Sequence, residues 1–150
     1  MTDLAIKYRP SKVSQLLGES NVTNLKSLIA LPPNSLILHG GSGLGKTTMA
    51  RIYATSMDSG PGTMGWIEHD AAVYNGVDDI RDLRQVIRGG VIDGSARVVC
   101  LDECHMLSKS SWNALLKDIE EPPNGVHWVF CTTEISKVPA TIKTRSVQCS

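Results

Sequence analysis

Two acidic residues stand next to each other in the segment "LDECH", directly behind the apolar run "VVC". Asp102 falls at the end of a predicted buried strand, and Glu103 follows it. A carboxylate in such a place can hold the water shell of Mg²⁺, and a second one can orient a water molecule for attack on a phosphate. We therefore expect Asp102 to serve the metal and Glu103 to serve the attacking water. An acid pair that only caps the next helix is the alternative.

A phosphate-binding segment lies upstream of this pair. The stretch "GGSGLGKTT" fits the pattern G-x-x-x-x-G-K-[ST], with Gly40, Gly45, Lys46 and Thr47 at the fixed positions. Glycines let successive backbone N–H groups face a phosphate, and the N-terminus of the next helix adds partial positive charge. Lys46 would reach the β- and γ-phosphates, and the Thr47 hydroxyl would bind Mg²⁺. A chance glycine-rich turn would lack the apolar strand before it and the helix after it.

The ligands expected from these two segments are ATP and Mg²⁺. Thr47 and Asp102 are the predicted metal ligands, and Lys46 and Glu103 are predicted to act in catalysis. The residues expected around the phosphates are Gly41, Ser42, Gly43, Leu44, Gly45, Lys46, Thr47 and Thr48.

Strand and helix patterns alternate along the chain. The predicted strands are "SLILHG", "WIEHD", "ARVVCLD", "VHWVFCTT" and "SVQCS". The predicted helices are "NVTNLKSLIA", "KTTMARIYATSM", "VDDIRDLRQVIRGG" and "SSWNALLKDIEE", with "VPATIKTR" as a turn or a short helix. This alternation predicts an α/β fold with a parallel sheet covered by helices on both faces. A chain of 150 residues is expected to form one domain, spanning 1–150.

Composition and charge limit the binding partners and the cellular location that can be expected. Fifteen Lys and Arg residues balance fifteen Asp and Glu residues, so no net field attracts DNA or a membrane surface. No apolar run is long enough to span a membrane, and "MTDLAIKYRP" lacks the apolar core of a signal peptide. A cytoplasmic protein without a membrane partner is expected. The four cysteines form no CxxC pair, which predicts buried structural thiols rather than a zinc site.

The letters DECH also spell a nucleic-acid helicase box, whose last letter is His105 here. A helicase of that kind needs a second domain to close over the nucleotide, and 150 residues leave no room for one. The segment is therefore interpreted as a Walker B motif followed by a histidine without an assigned role.

Four longer segments occur in a characteristic order: "KYRP", "GGSGLGKTTMARIYA", "LDECHMLSKSSWNALLKDIEEPP" and "FCTTEISKVPATIKTRS". Together they resemble the AAA+ module of DNA polymerase clamp loaders. That family includes the bacterial DNA polymerase III gamma/tau subunit, replication factor C small subunits and phage clamp-loader ATPases. The resemblance covers nearly the whole chain and implies a P-loop NTPase fold, the AAA+ base, with a parallel five-stranded sheet flanked by helices.

The resemblance also implies roles for individual residues. Tyr8, Arg9 and Pro10 match the segment that packs by the adenine. Thr133 falls at sensor 1, a polar side chain at a strand end that responds to the γ-phosphate. Arg145 takes the place of an arginine finger, which is inserted into the ATP site of the neighbouring subunit. A finger supplied in trans can be worth about 10³–10⁵ in rate, so hydrolysis is expected to depend on assembly.

DNA contact is implied at two further positions. Thr141 matches a threonine that faces the DNA backbone in the family, and Asn75 lies in the loop that precedes the "DDIRDLRQVI" helix. Arg81, Arg84 and Arg88 form a stripe on that helix, but acidic residues share the neighbourhood. A solvated, salt-bridged face is the equally good alternative.

Three departures from the family pattern stand out. The four-cysteine zinc insertion of the bacterial gamma/tau subunit is missing, so no zinc is expected. The finger motif reads Thr144-Arg145-Ser146 instead of Ser-Arg-Cys. The helical lid and the collar are expected to be absent from this chain.

The function implied by the resemblance is that of a clamp-loader ATPase subunit. It would couple ATP binding and hydrolysis to loading of a sliding clamp on primer–template DNA during DNA replication, together with other clamp-loader subunits. The alternative is an ATP-binding stator or assembly factor of a replication complex that does not hydrolyse ATP.

Overall fold

The computed structural model describes residues 27–40, 45–88 and 96–150. Strands and helices alternate along these residues. The strands are β1 Ser35–His39, β2 Trp66–Asp70, β3 Arg97–Asp102, β4 Val126–Thr132 and β5 Val147–Cys149. The helices are α1 Lys46–Ser56, α2 Val77–Arg88, α3 Lys109–Glu120 and α4 Ala140–Thr144, with 3₁₀ turns at Cys104–Met106 and Ile135–Lys137. Residues 27–30 are also helical, and the earlier part of the predicted "NVTNLKSLIA" helix lies outside the described residues.

The five strands form one sheet in the order β2-β3-β4-β1-β5. Every pairing is parallel, and the register places Leu36 of β1 beside Val129 of β4 on one side and Val147 of β5 on the other. The carboxyl ends of β1, β3 and β4 therefore meet at one edge of the sheet, where ligands bind in open α/β folds. The α/β fold predicted from the alternating pattern is confirmed.

Helices cover both faces of the sheet, and successive strand residues point to opposite faces. On one face, α1 packs with its Met49, Ala50 and Tyr53 against alternate residues of the central strands. On the other face, α2 and α3 bury Ile80, Leu83, Ile87, Trp112, Leu115 and Ile119 against Ile37, Val99, Leu101 and Phe130. Strands buried on both faces read as continuous apolar runs, which is why "SLIL" and "VVCL" predict strands without alternation.

Local signals in the sequence explain where α3 begins and ends. The Ser108 side chain accepts a hydrogen bond from the Ser111 N–H at 3.1 Å and so caps the first turn. The helix ends at Glu120, two residues before Pro122, because proline restricts the residue that precedes it. The observed helix starts one residue earlier than the predicted "SSWNALLKDIEE" segment and ends one residue earlier. Likewise β4 ends at Thr132, so Thr133 lies just past the strand and not at its last position.

The four cysteines are all buried and free. The hydrogen bond between the Cys100 and Cys131 thiols raises the pKa of Cys100, and burial raises the pKa of Cys104. Raised thiol pKa values keep the sulfur atoms protonated and unreactive, as expected of structural thiols. Within the described ranges, no helix is both long enough and apolar enough to cross a membrane.

Candidate nucleotide-binding site

The amino end of α1 is the first part of the site. α1 begins at Lys46 and continues through Thr47 and Thr48, so the last residues of the predicted phosphate loop form the first turn of an 11-residue helix. No side chain caps this helix at Gly45, and no acidic residue lies in its first turn. Backbone N–H groups at a helix start suit an anion such as phosphate. At the opposite end of the loop, Gly40 adopts a φ of 151°, which favours glycine over residues with a side chain.

Within the described residues, the two ends of the phosphate loop are not crowded. A Cβ atom added at Gly40 would meet none of their atoms within 4 Å, and one added at Gly45 would meet only the Met49 sulfur at 4.0 Å. The other loop residues, Gly41, Ser42, Gly43 and Leu44, lie outside the described residues, as do Tyr8, Arg9 and Pro10. Their predicted roles stay predictions.

Thr47 and Asp102 meet at the edge of the sheet. The Thr47 hydroxyl donates to Asp102 Oδ2 at 3.4 Å, although the two residues are far apart in the sequence. A hydroxyl and a carboxylate are hard oxygen donors of the type that Mg²⁺ prefers. Two such ligands bound side by side in an octahedral Mg²⁺ shell, with metal–oxygen bonds of about 2.1 Å, would lie about 3 Å apart. The chemistry and the spacing of this pair therefore fit the predicted metal.

The backbone turns sharply between the two acidic residues. Glu103 adopts a φ of 53° and a ψ of 42°, the left-handed region, and its N–H donates to Asp102 Oδ1 at 3.0 Å. For a residue with a side chain this conformation costs about 1–3 kcal/mol, and such residues cluster at functional sites. The turn separates the two carboxylates: Asp102 contacts Thr47, whereas Glu103 Oε2 lies 3.5 Å from His105 Nε2.

The end of β4 contributes a third set of polar groups. Thr132, the last residue of β4, places its hydroxyl oxygen 2.9 Å from His105 Nδ1. The same oxygen accepts the Glu134 N–H at 2.9 Å. Thr133, the predicted sensor, lies between Thr132 and Glu134 in the chain and is half-buried. Sequence reasoning missed the contacts of Thr132, His105 and Glu134; the histidine in "DECH" and the polar end of "FCTTE" were the available signals.

Arg145 lies at a second place, where α4 ends beside the end of α3. Its guanidinium Nε and terminal nitrogen donate to Glu120 Oε1 at 3.2 and 3.0 Å. Both side chains are partly exposed, with 45% and 41% of their surface accessible. Ile119 and Glu121 complete a shallow groove around the arginine, which we call the α3–α4 groove. The predicted finger is thus surface-exposed and paired with an acidic residue of its own chain.

The two predicted DNA-contacting residues lie on different loops. Asn75 is half-buried, and its carbonyl oxygen accepts the Ser111 hydroxyl at 2.8 Å, which ties the loop before α2 to the start of α3. Thr141 is exposed on α4. Neither contact pattern assigns a ligand to these residues, so DNA binding there stays a prediction.

Two of the three arginines on α2 form ion pairs. Arg84 binds Asp118 of α3 with its Nε 2.6 Å from Oδ2, and both side chains are largely buried. Arg81 pairs with Asp78 on the exposed face of α2 at 3.2 Å. The salt-bridged alternative therefore describes Arg81 and Arg84, and Arg84 is turned toward α3 instead of toward solvent.

The sheet order, the helix that follows the phosphate loop and the strand-end acid pair define a P-loop NTPase of the AAA+ class. Comparison with protein families shows which family within this class the chain matches. The family described as DNA polymerase III, delta subunit, matches residues 63–150, which is more than half of the chain. The chain belongs to this family.

Similar proteins carry the names of other DNA polymerase III subunits. The gamma/tau subunit of Mycobacterium bovis is 34% identical over 93% of this chain and 28% of its own length. The tau subunit of Escherichia coli is 34% identical over 97% of this chain and 26% of its own length. The chain therefore spans only about a quarter of the length of these relatives.

Solved structures agree with the fold. A DNA polymerase III gamma subunit-related protein of Thermotoga maritima superimposes with a TM-score of 0.68 and 25% identity, covering 85% of this chain and 45% of its own. The RuvB Holliday junction branch migration motor of the same organism superimposes with a TM-score of 0.71 and 20% identity, covering 95% of this chain and 48% of its own. The likeness to RuvB shows the fold alone.

Proposed function

We propose that this chain is the ATPase module of a clamp loader, which uses ATP binding and hydrolysis to load a sliding clamp on primer–template DNA during replication. The observation that supports this most directly is the meeting of Thr47 and Asp102 at the carboxyl edge of the sheet, beside the start of α1 and a second carboxylate. The gamma/tau names of the relatives give the proposal its replication context.

Each described residue of the site has a proposed task. Lys46 and the backbone of the α1 first turn would bind the β- and γ-phosphates. Thr47 and Asp102 would hold Mg²⁺, which neutralises charge on the phosphate oxygens. Glu103 would orient the attacking water molecule, and Thr133 would report on the γ-phosphate. Lys46 and Thr47 begin α1, which follows β1, whereas Asp102 ends β3 and Glu103 and Thr133 directly follow β3 and β4, so all of them lie near the carboxyl edge of the sheet.

Arg145 would complete the site of a neighbouring subunit. Its place in the α3–α4 groove, at the surface and next to Glu120, is compatible with contact to a second chain. The guanidinium must leave Glu120 before it can stabilise charge on a transferring phosphate. Because an exposed ion pair contributes only about 0–1 kcal/mol, this exchange of partners costs little.

The proposed partners are other clamp-loader subunits, a sliding clamp and primer–template DNA, with Thr141 and Asn75 as candidate DNA contacts. The cytoplasmic location and the absence of a bound zinc ion, both expected from the sequence, stay predictions.

An ATPase assay tests the proposal. ATP turnover is measured with the chain alone and with partner subunits, clamp and primed DNA, and ATP affinity is measured in parallel. Glu103→Gln is expected to lower kcat by about 10²–10⁴-fold without weakening ATP binding. Glu68→Gln is the matched control, because Glu68 lies on the edge strand β2 and pairs with Arg51 at the surface.

The outcomes separate the two functions. Turnover that depends on Glu103 supports the motor. ATP binding without turnover in any mixture would support the stator or assembly factor instead, and no ATP binding at millimolar concentration would refute both.

A further inference from the structure

His105 is a strongly buried ionisable side chain beside Glu103 that the proposed reaction does not use. It belongs to the 3₁₀ turn Cys104–Met106, and only 7% of its side-chain surface is exposed. Both ring nitrogens nevertheless have polar neighbours: a hydroxyl on one side and two carboxylates on the other. A buried imidazole with two such sides can fix the position of whatever it contacts.

The Nδ1 side is rigid. Nδ1 lies 2.9 Å from the hydroxyl oxygen of Thr132, which is fully buried at the end of the central strand β4. That oxygen also accepts the Glu134 N–H at 2.9 Å, which leaves the hydroxyl hydrogen free to be donated to Nδ1. The ring is therefore attached to the sheet and not to a flexible surface loop.

The Nε2 side faces acceptors. Nε2 lies 3.5 Å from Glu103 Oε2 and 3.5 Å from Glu134 Oε2. Ionised carboxylates accept hydrogen bonds but cannot donate them, so Nε2 must carry the hydrogen. With hydrogen on Nε2 the ring presents a donor to the two carboxylates, and Nδ1 shares a hydrogen bond with the Thr132 hydroxyl. At 3.5 Å both contacts are longer than an ordinary hydrogen bond, so the ring acts on the carboxylates through electrostatic attraction to its Nε2–H.

We propose that His105 is a positioning residue for Glu103: its Nε2–H, anchored through Thr132 to the end of β4, sets the direction of the Glu103 carboxylate. The proposal rests on the proposed ATPase function and deepens it. It connects Glu103, the proposed water-orienting residue directly after β3, to the strand that ends beside Thr133. A displacement of Thr132 at the end of β4 would therefore move the His105 ring and with it the Glu103 carboxylate. Glu134 competes with Glu103 for His105 Nε2.

A purely structural role makes a different prediction. If His105 only holds the Cys104–Met106 turn against Thr132, then Nδ1 is the atom that matters and Nε2 is not. Two substitutions separate these roles, because the amide nitrogen of glutamine reaches about as far as Nε2, whereas that of asparagine lies near the place of Nδ1. His105→Gln keeps a donor for Glu103, and His105→Asn keeps a polar group for Thr132.

The experiment measures kcat and ATP affinity for the wild-type chain in its active mixture and for H105A, H105Q and H105N. H105A is expected to lower kcat by about 10–100-fold, the loss typical when a residue that orients a reacting group is removed, with ATP affinity unchanged. H105Q is expected to recover most of this loss and H105N little of it. Recovery by asparagine and not by glutamine would overturn the proposal, as would a parallel loss of ATP affinity in all three variants.

A second measurement does not depend on turnover. Nitrogen-15 NMR of the His105 ring is expected to show hydrogen on Nε2, with a resonance that moves when Glu103 is changed to glutamine, a weaker acceptor. Glu121→Gln is the matched control, because Glu121 is exposed at the far end of α3. An Nε2 resonance that is the same in wild type and E103Q would overturn the proposal.

The two measurements also separate a failure of the proposed ATPase function from a failure of the proposed role of His105. A chain that binds ATP without turnover in any mixture would refute the proposed ATPase function, and the NMR comparison would still decide whether His105 contacts Glu103.

Discussion

At the carboxyl edge of the sheet, Thr47 and Asp102 are brought together because the hydrophobic core fixes the register of the parallel strands. In the α3–α4 groove, by contrast, Arg145 is held by a half-exposed ion pair with Glu120. The first region keeps its shape in a single chain, since displacing Thr47 would mean moving the start of α1 and displacing Asp102 would mean moving the end of the buried strand β3. The second region can exchange its partner at small cost. Under the proposed function, we therefore expect the isolated chain to bind ATP and only an assembly to hydrolyse it.

The largest expected effect is that of Arg145→Ala on turnover. In a mixture of subunits that hydrolyses ATP, this change is expected to lower kcat by about 10³-fold or more, because a finger supplied in trans stabilises charge in the transition state. ATP affinity of the isolated chain should not change. Lys143→Ala, two residues earlier on the same short helix, is the matched control. Equal loss in both variants, or loss of ATP affinity in R145A, would contradict the division between the two regions.

The next effect concerns stability and compares two acidic residues on α3. Asp118 forms a largely buried pair with Arg84, and Glu120 forms the exposed pair with Arg145. Asp118→Ala leaves a buried guanidinium without its carboxylate and is expected to lower the free energy of unfolding by about 3 kcal/mol. Glu120→Ala is expected to cost less than about 1 kcal/mol. Urea denaturation followed by circular dichroism measures both; equal costs would show that the α3–α4 groove is as firmly held as the core.

A smaller effect tests the proposed Mg²⁺ site. Asp102→Asn keeps the size of the side chain but removes its charge, and a charged contact of this kind is worth about 1.5–3 kcal/mol, or about 10–100-fold in affinity. ATP affinity is measured by calorimetry with Mg²⁺ and again with EDTA. The loss is expected only with Mg²⁺. A loss of the same size in EDTA would mean that Asp102 supports the protein and not the metal.

The sequence predicted the fold and part of the site because these depend on local pattern. Apolar runs indicated the strands β1, β3 and β4, and the assignment of Thr47 and Asp102 to one Mg²⁺ predicted that these two side chains lie close together. The left-handed conformation of Glu103 had no such signal, because the residue is not a glycine. The contact of Thr132 with His105 was also hidden, since adjacent threonines point to opposite sides and only the end of β4 decides which one reaches the ring.

The sequence did not predict the ion pairs between helices, for a related reason. Arg84 could have pointed to solvent with Arg81, and the choice depends on how α2 packs against α3. The same holds for Arg145 and Glu120, which meet only because α4 returns to the end of α3. Charge patterns within one helix are visible in the sequence, whereas partners on another helix depend on packing geometry.

The smallest predicted effect concerns the α3–α4 groove. Glu120→Gln removes the charge that binds Arg145, and this arginine should then reach a neighbouring subunit more readily. Because the exposed pair is worth about 0.2–1 kcal/mol, the gain in turnover at limiting subunit concentration should be about 1.5–5-fold. The gain should shrink as salt is raised, since salt already screens the wild-type pair. Glu121→Gln, the adjacent carboxylate in the groove, serves as the control. A fall in turnover in E120Q would mean that Glu120 holds Arg145 in the orientation that the neighbouring ATP site requires, and the contrast between a fixed nucleotide edge and an exchangeable finger would then be wrong.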